Sequence, residues 1–171
     1  MEIRPARPEE AVRLTGIALR SKAYWGYDEA FMAACRAELT MDAGVIERSA
    51  TMVAEDAGRL LGFVSFSGAP PTGSLDQLFV EPESIGRGVG RALFERARSL
   101  AVELGLRRFT IDSDPNAEPF YLAMGATRIG SVPSGSIPGR ELPLLVLELA
   151  ARPEPSASAR ARRRETPPRP R

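Results

Sequence analysis

Residues 74–105 read SLDQLFVEPESIGRGVGRALFERARSLAVELG. The stretch divides into an apolar strand pattern at 75–80, a break at Pro82, glycines at alternate positions 86, 88 and 90, and a long amphipathic segment. Val89, Leu93, Ala97, Leu100, Ala101 and Leu104 recur at intervals of three and four, the period of a helix. Strand, glycine-rich turn and helix therefore follow in that order. Gly86, Gly88 and Gly90 lack a Cβ, so the turn can take positive φ and let a ligand approach the backbone closely. The free N–H groups at the start of the helix lie at the positive end of its dipole, which suits a phosphate.

The spacing separates this turn from other phosphate-binding turns. A dinucleotide fingerprint starting at Gly86 requires glycine where Arg91 stands, and a P-loop requires a Gly-Lys-Ser/Thr sequence that the chain lacks. The run Ile85, Gly86, Arg87, Gly88, Val89, Gly90 instead resembles the acyl-CoA pyrophosphate loop of the GNAT family of N-acetyltransferases. That loop has the pattern Gln/Arg-x-x-Gly-x-Gly/Ala and joins the fourth strand to the next helix. Ile85 departs from the pattern where Gln or Arg is usual, which removes a side-chain contact but leaves the backbone cradle. Arg87 and Arg91 are candidates to supply the charge. A second stretch, Asn116 to Ala126 with Phe120, Tyr121 and Gly125, is similar to the family's second motif. The two motifs occur in the family's order and separation.

Composition agrees with a globular chain: 43% of the 171 residues are hydrophobic and 26% charged. That length suits one domain with a single well-buried core. The charged N-terminus lacks the apolar run of a signal peptide, no segment approaches a membrane span, and the expected compartment is cytoplasmic. With one cysteine, Cys35, and no histidine, neither an intramolecular disulfide nor a transition-metal site is expected, so no metal is assigned. Any acid or base must then be Asp, Glu, Tyr, Cys or backbone. Cys35 reads as a buried, inert thiol. Residues 150–171 contain seven Arg and two Glu, a net +5, which leaves residues 1–149 at −4 in a chain of formal charge +1. A mildly acidic domain suits a cationic amine.

Taken in order, residues 2–5 read as a short strand closed by Pro5 and Pro8, followed by a helix whose apolar stripe is Val12, Leu14, Ile17, Ala18 and Leu19. Tyr24, Trp25 and Tyr27 cluster beside Gly26; they either pack two helices together or line a binding cleft. A second helix is expected from about Asp28, its N-cap, to Leu39. Residues 50–55 and 60–66 read as strands of a hairpin, turned at Asp56, Ala57 and Gly58. Gly105 ends the long helix, and 109–112 form the next strand, which implies a parallel pair with a right-handed crossover. A short helix at 117–124 and closing strands at 126–132 and 142–149 complete the domain. The connector 133–140, rich in Gly, Pro and Ser, is a candidate specificity loop with Ser134, Ser136 and Arg140 as polar contacts to the acceptor. Residues 150–171 have almost nothing to bury and read as a disordered, solvated tail rather than a nucleic-acid binder.

The resemblance covers residues 2–149 and implies an α/β fold: a mixed sheet of about six to seven strands, splayed between the fourth and fifth and flanked by about four helices. It implies acetyl-CoA as co-substrate and an amine acceptor, a small molecule or a peptide, acetylated by direct attack in a ternary complex. The cofactor's arm would pair with the strand edge at Leu78, Phe79 and Val80 as a substitute strand. Its pyrophosphate would rest on the amides from Gly86 to Arg91, including Arg87, Gly88, Val89 and Gly90. Tyr121 matches the family's general acid, and its reference pKa of ~10 against ~8.5 for a thiol makes the transfer cost only about 2 kcal/mol. Asn116 would fix the cofactor or a water. Period-two alternation puts Ser74, Asp76, Leu78 and Val80 on one strand face and makes Asp76 the first candidate base, with Glu81 and Glu38 as alternatives. An Asp near pKa 3.9 needs burial or a water relay to serve an amine near 10. Tyr24, Trp25 and Tyr27 border the acceptor in this scheme. The alternative is a module that binds acyl-CoA without turning it over. The acceptor's identity stays open, and a homodimer through a sheet edge or helix pair is compatible with the family.

Overall fold

The computed structural model describes residues 1–149. The tail assigned to 150–171 lies outside the described residues. Seven strands form one sheet in the order β1-β2-β3-β4-β5-β7-β6, with β1 Glu2–Pro5, β2 Ala50–Asp56, β3 Arg59–Ala69, β4 Thr72–Val80, β5 Arg108–Asp112, β6 Thr127–Pro133 and β7 Glu141–Glu148. All neighbours are antiparallel except β4 and β5. This is the mixed α/β sheet that the family resemblance implies, with the parallel pair that the order of elements predicts.

Helices cover both faces. On one side lies α4, Val89–Glu103, which buries Val89, Leu93, Phe94, Ala97 and Ala101 against Val64, Phe66, Leu75 and Phe109 of the sheet. Each large side chain removed from water in this way contributes about 1.5–3 kcal/mol. The short α5, Glu118–Ala123, adds Tyr121 to the same core. On the other side lies α1, Ala11–Ala23, with Leu14, Ile17 and Ala18 against Val53, Leu60 and Phe63. Helices α2, Glu29–Cys35, and α3, Ala43–Arg48, complete that layer. The β2–β3 hairpin turns on Ala57 and Gly58, both at positive φ, the two-residue geometry that matches strand twist.

Three local expectations change. Val12, placed in the apolar stripe of α1, is 83% exposed, because a stripe through Leu14, Ile17 and Ala18 leaves it on the outer face. The second helix stops at Cys35 instead of reaching Leu39. The additional α3 is capped by Asp42, whose side chain accepts from the Val45 amide at 2.8 Å. Its single turn and a half carries too little periodic apolar sequence to be read as a helix.

Two features of β4 decide the site. Its register with β3 pairs Gln77 with Ser65 but Leu75 with Phe66, so Asp76 is an extra residue, a β-bulge. And its parallel ladder with β5 is confined to three pairs, Thr72 with Arg108, Gly73 with Phe109 and Ser74 with Thr110. Beyond Ser74 the two strands part.

Arg4 ties β1 to the start of the helical layer. Its guanidinium donates to both oxygens of Glu10 at 3.0 and 2.7 Å and also pairs with Glu55. The Arg4 bonds hold the buried Glu10 carboxyl below its ordinary value, outweighing the opposing effect of burial. A depressed carboxyl adds stability above its unfolded pKa and loses it as pH falls through the folded one. We expect Glu10→Gln to destabilise the protein by about 2 kcal/mol at pH 7 in denaturant unfolding, and the gap from wild type to close below about pH 4.

Candidate active site

The opening between β4 and β5 is a cleft of about 460 Å³. It runs from the glycine-rich turn, between the parted strands, to the loops that follow β5 and β6. Glycine-rich turn, strand edge, hydroxyl and charge cluster line it in that order.

At the turn, Gly86 and Gly88 adopt φ of +77 and +86, a region other residues rarely occupy. Gly88 is the N-cap of α4, and its carbonyl takes the first helical bond, from the Ala92 amide at 3.0 Å. The amides of Gly88, Val89, Gly90 and Arg91 therefore have no acceptor within the helix. Space within 4 Å of the Cβ positions of Gly86 and Gly88 is open. A ring of donors with room before it suits a diphosphate. Not every predicted group takes part. The Arg87 amide donates to the Ser84 carbonyl at 3.3 Å, and Arg87 is absent from the cleft wall, whereas Arg91 and Ile85 line it. The Val89 side chain is buried in the core, so only its backbone can serve a ligand.

Along the strand, the Glu81 amide donates to the Leu61 carbonyl on the β3 side at 2.8 Å. By alternation the N–H groups of Leu78 and Val80 then point away from β3 and into the opening. That of Val80 donates to the Ser21 hydroxyl at 3.4 Å, which leaves the Leu78 N–H as the free donor of this edge. Leu78, Phe79 and Val80 all line the cleft. This edge has room for an extended chain with amides of its own.

The bulge overturns the common face expected of Ser74, Asp76, Leu78 and Val80. Leu75, Leu78 and Val80 pack on the α4 core, so the alternation changes parity at Asp76. Asp76 does line the cleft, but as an exposed side chain at the bulge. Glu38 lines it too, tethered by the bond from Gln77 Nε2 to its carbonyl at 3.1 Å. Glu81 does not: it is buried and accepts twice from Arg20, at 3.0 and 2.6 Å. That pairing removes it from the candidate bases.

Tyr121 is 6% exposed and borders the cleft, packed beside Phe94 and Phe120. Burial, with the negative Asp114 nearby, pushes its phenol well above the ordinary range. Among the described residues its hydroxyl has no hydrogen-bond partner. It is a protonated donor facing open space.

Beyond the end of β5, three residues named from the sequence, Tyr27, Asn116 and Arg140, meet two that were not, Lys22 and Asp114. Asp114 Oδ2 accepts from Lys22 Nζ at 2.6 Å, from Tyr27 at 2.9 Å and from Arg140 Nη2 at 3.4 Å, while Oδ1 accepts from the Asn116 amide at 2.9 Å. The Tyr27 hydroxyl in turn accepts from Arg140 Nη2 at 2.7 Å and Asn116 Nδ2 at 3.0 Å. Burial would raise the Asp114 carboxyl, but Lys22, the Asn116 amide and Tyr27 outweigh it and hold the carboxyl below its ordinary value. Burial and the Asp114 charge raise the Tyr27 phenol. Asn116, Arg140, Ser134, Ser136 and Trp25 line the cleft. Tyr27 stands behind that wall, stacked on Phe31 at 4.0 Å, and Tyr24 is 53% exposed against the Trp25 edge. Lys22 and Asp114 lie 92 positions apart, and nothing in sequence pairs them. The one available signal was that Lys22 is the chain's only lysine.

Known proteins share this architecture. A family model described as an acetyltransferase (GNAT) domain matches residues 10–134. No curated protein sequence matches the chain. A GCN5-related N-acetyltransferase from Rhodopseudomonas palustris superposes with a TM-score of 0.73 at 26% identity, over 86% of this chain and 95% of its own. PaiA N-acetyltransferase from Thermoplasma acidophilum, solved with coenzyme A, gives 0.71 at 19% identity, over 86% and 98%. The ribosomal-protein-S18-alanine N-acetyltransferase of Escherichia coli gives 0.65 at 18%, over 90% and 97%. At the two lower identities the likeness speaks for the fold alone. Because the matched residues include both the turn at 86–91 and the segment from Asn116 to Tyr121, and span most of the chain, the protein belongs to the GNAT family of acetyltransferases.

Proposed function

We propose that the protein transfers an acetyl group from acetyl-CoA to an amine by direct attack within a ternary complex. The observation that carries this reading is the continuity of the cleft. Free helix amides, a strand edge open at Leu78 and a lone protonated tyrosine follow one another along a single opening.

In this reading the amides of Gly88 to Arg91 hold the diphosphate, with Arg91 adding charge, and the edge at 78–80 pairs with the pantetheine amides. The Leu78 N–H faces the thioester carbonyl and stabilises the oxyanion that forms on attack. The amine nitrogen bonds to the carbonyl carbon, the carbon–sulfur bond breaks, and the leaving thiolate takes a proton from the Tyr121 hydroxyl. The phenol is protonated at neutral pH, and its raised pKa makes the transfer cost more than the reference value implies. The amine must arrive neutral or lose a proton on attack. Asp76 and Glu38, the carboxylates on the acceptor side that lack an ion-pair partner among the described residues, receive it directly or through water. Asn116 and Asp114 keep the end of β5 in place. A module that binds acyl-CoA without turnover has no use for a buried tyrosine whose hydroxyl faces the cleft.

Two measurements test the proposal. Acetyl-CoA at a hundredfold excess over its Kd should stabilise the protein by about 2.7 kcal/mol and raise Tm by several degrees. Gly88→Glu, which sets a carboxylate among the diphosphate donors, should abolish that rise while costing the unliganded protein only about 1–2 kcal/mol for a side chain at positive φ. No rise with any acyl-CoA would refute the site. Tyr121→Phe should keep the thermal shift and the KM for acetyl-CoA but lower kcat by about a hundredfold. Unchanged kcat would exclude Tyr121 as the acid.

A further inference from the structure

The acceptor end of the cleft carries charge of both signs in separate places. Lys22 and Arg140 are half-buried cations, their side chains 13% and 18% exposed. Both pair with the same carboxylate, Asp114. Among the described residues no other acid lies within ion-pair distance of either, so one positive charge there is surplus. Taking a charge out of water costs several kcal/mol unless it is paired. Against this, Glu38, Asp76 and Asp112 line the same cleft with no ion-pair partner among the described residues.

Arg140 shows which face is free. Its guanidinium lies over the rings of Tyr27 and Phe31, 5.2 and 4.8 Å from their centroids. Nη2 is engaged by Tyr27 and Asp114. Nε and Nη1 make no hydrogen bond among the described residues, yet Arg140 borders the cleft. A guanidinium set against the rim of this ring pair, with Nη2 engaged and both Nε and Nη1 still able to donate, is organised to receive an anion. The loop that carries it is closed by the Ser134 amide on the Arg140 carbonyl at 2.7 Å and by the Arg140 amide on the Ile137 carbonyl at 3.2 Å. Arg140 is thus fixed in place before any acceptor arrives.

We infer that the acceptor is a small amine that bears a carboxylate, of the free amino acid class. Its carboxylate accepts from an unpartnered N–H of Arg140, on Nε or Nη1, and its amine lies toward Glu38 and Asp76, which line the same cleft. This rests on the acetyl-transfer reading above and adds the acceptor's chemistry. The chemical step is the same: the amine nitrogen gains the acetyl group and CoA leaves as the thiol. A protein N-terminus or a polyamine satisfies the acids but leaves the surplus cation unpaired, and the cleft must also admit the pantetheine arm.

The test is thiol release from acetyl-CoA by the full chain, with each of the common amino acids beside its α-amide, which keeps the amine and side chain but removes the charge. The expected result is at least one amino acid acetylated with kcat/KM roughly tenfold or more above its amide, as a charge-assisted contact implies. Arg140→Gln should then raise KM for that amino acid about tenfold, leave kcat within about threefold and erase the preference over the amide. Arg140→Lys, which retains the charge on Asp114 but not the planar edge, should fall between the two. A thermal rise with acetyl-CoA confirms that each variant is folded and keeps the cofactor site. Amides or carboxylate-free amines acetylated as well as amino acids would overturn the inference. So would a preference unchanged in both variants, or no amino acid acetylated by a protein that acetyl-CoA stabilises. Absence of that stabilisation in wild type would instead overturn the acetyl-transfer reading beneath it.

Discussion

The parallel ladder between β4 and β5 ends at Ser74 and Thr110, and the functional half of the molecule is built on the backbone groups this leaves without a partner. In the middle of a sheet, unpaired N–H and C=O groups are costly unless water or a ligand satisfies them. Here the cost is contained by chain geometry. The bulge at Asp76 turns β4 while it stays paired to β3 down to Val80, and β5 stays paired to β7 down to Asp112. Each strand is held on its outer side, so the gap persists as a cleft instead of zipping shut. The opening also sets the direction of chemistry, because the turn after β4 leads straight into α4 and brings its free amides to one end.

At the other end the same gap needs a fastening, and Asp114 provides it. Lys22 comes from α1, Tyr27 from the loop before α2, Asn116 from the turn before α5 and Arg140 from the connector between β6 and β7. One carboxylate gathers these four segments, directly and through the Tyr27 hydroxyl. A half-buried carboxylate with so many donors is held ionised, and breaking such a set one partner at a time leaves a charge with part of its desolvation cost unmet. The cluster therefore rigidifies the acceptor wall and gives it a fixed charge pattern. The connector at 133–140 is rich in Gly, Pro and Ser. In the folded protein it is closed on itself and pinned by Arg140.

Some of this was written plainly in the chain. The turn at 86–91 requires positive φ at Gly86 and Gly88, a local demand that only glycine meets cheaply, and the helix after it announces itself through its apolar period. From these two facts come the parallel strand pair, the phosphate end of the site and the layer that α4 covers. Tyr121 was legible for a similar reason: the short helix between Asn116 and Gly125 fixes its position relative to the end of β5. These are short-range determinants, read within a dozen residues.

What the sequence could not determine is what depends on partners far along the chain. Period-two alternation placed Asp76 on the face of Leu78 and Val80, but a bulge is a property of the pair β3 and β4, and one inserted residue reverses parity for everything beyond it. Glu81 looked as available as Asp76 until Arg20, 61 positions earlier, arrived to bind it. Apart from Asn116, the hub at Asp114 joins residues 26 to 92 positions away, so neither the Lys22 pairing nor the unpartnered donors of Arg140 leave any local trace. The sequence alone determined the fold and the places of the glycine-rich turn and of Tyr121. The tertiary structure decided which carboxylates stay free and how charge is arranged around the acceptor, because electrostatic partnership is settled by distance in space.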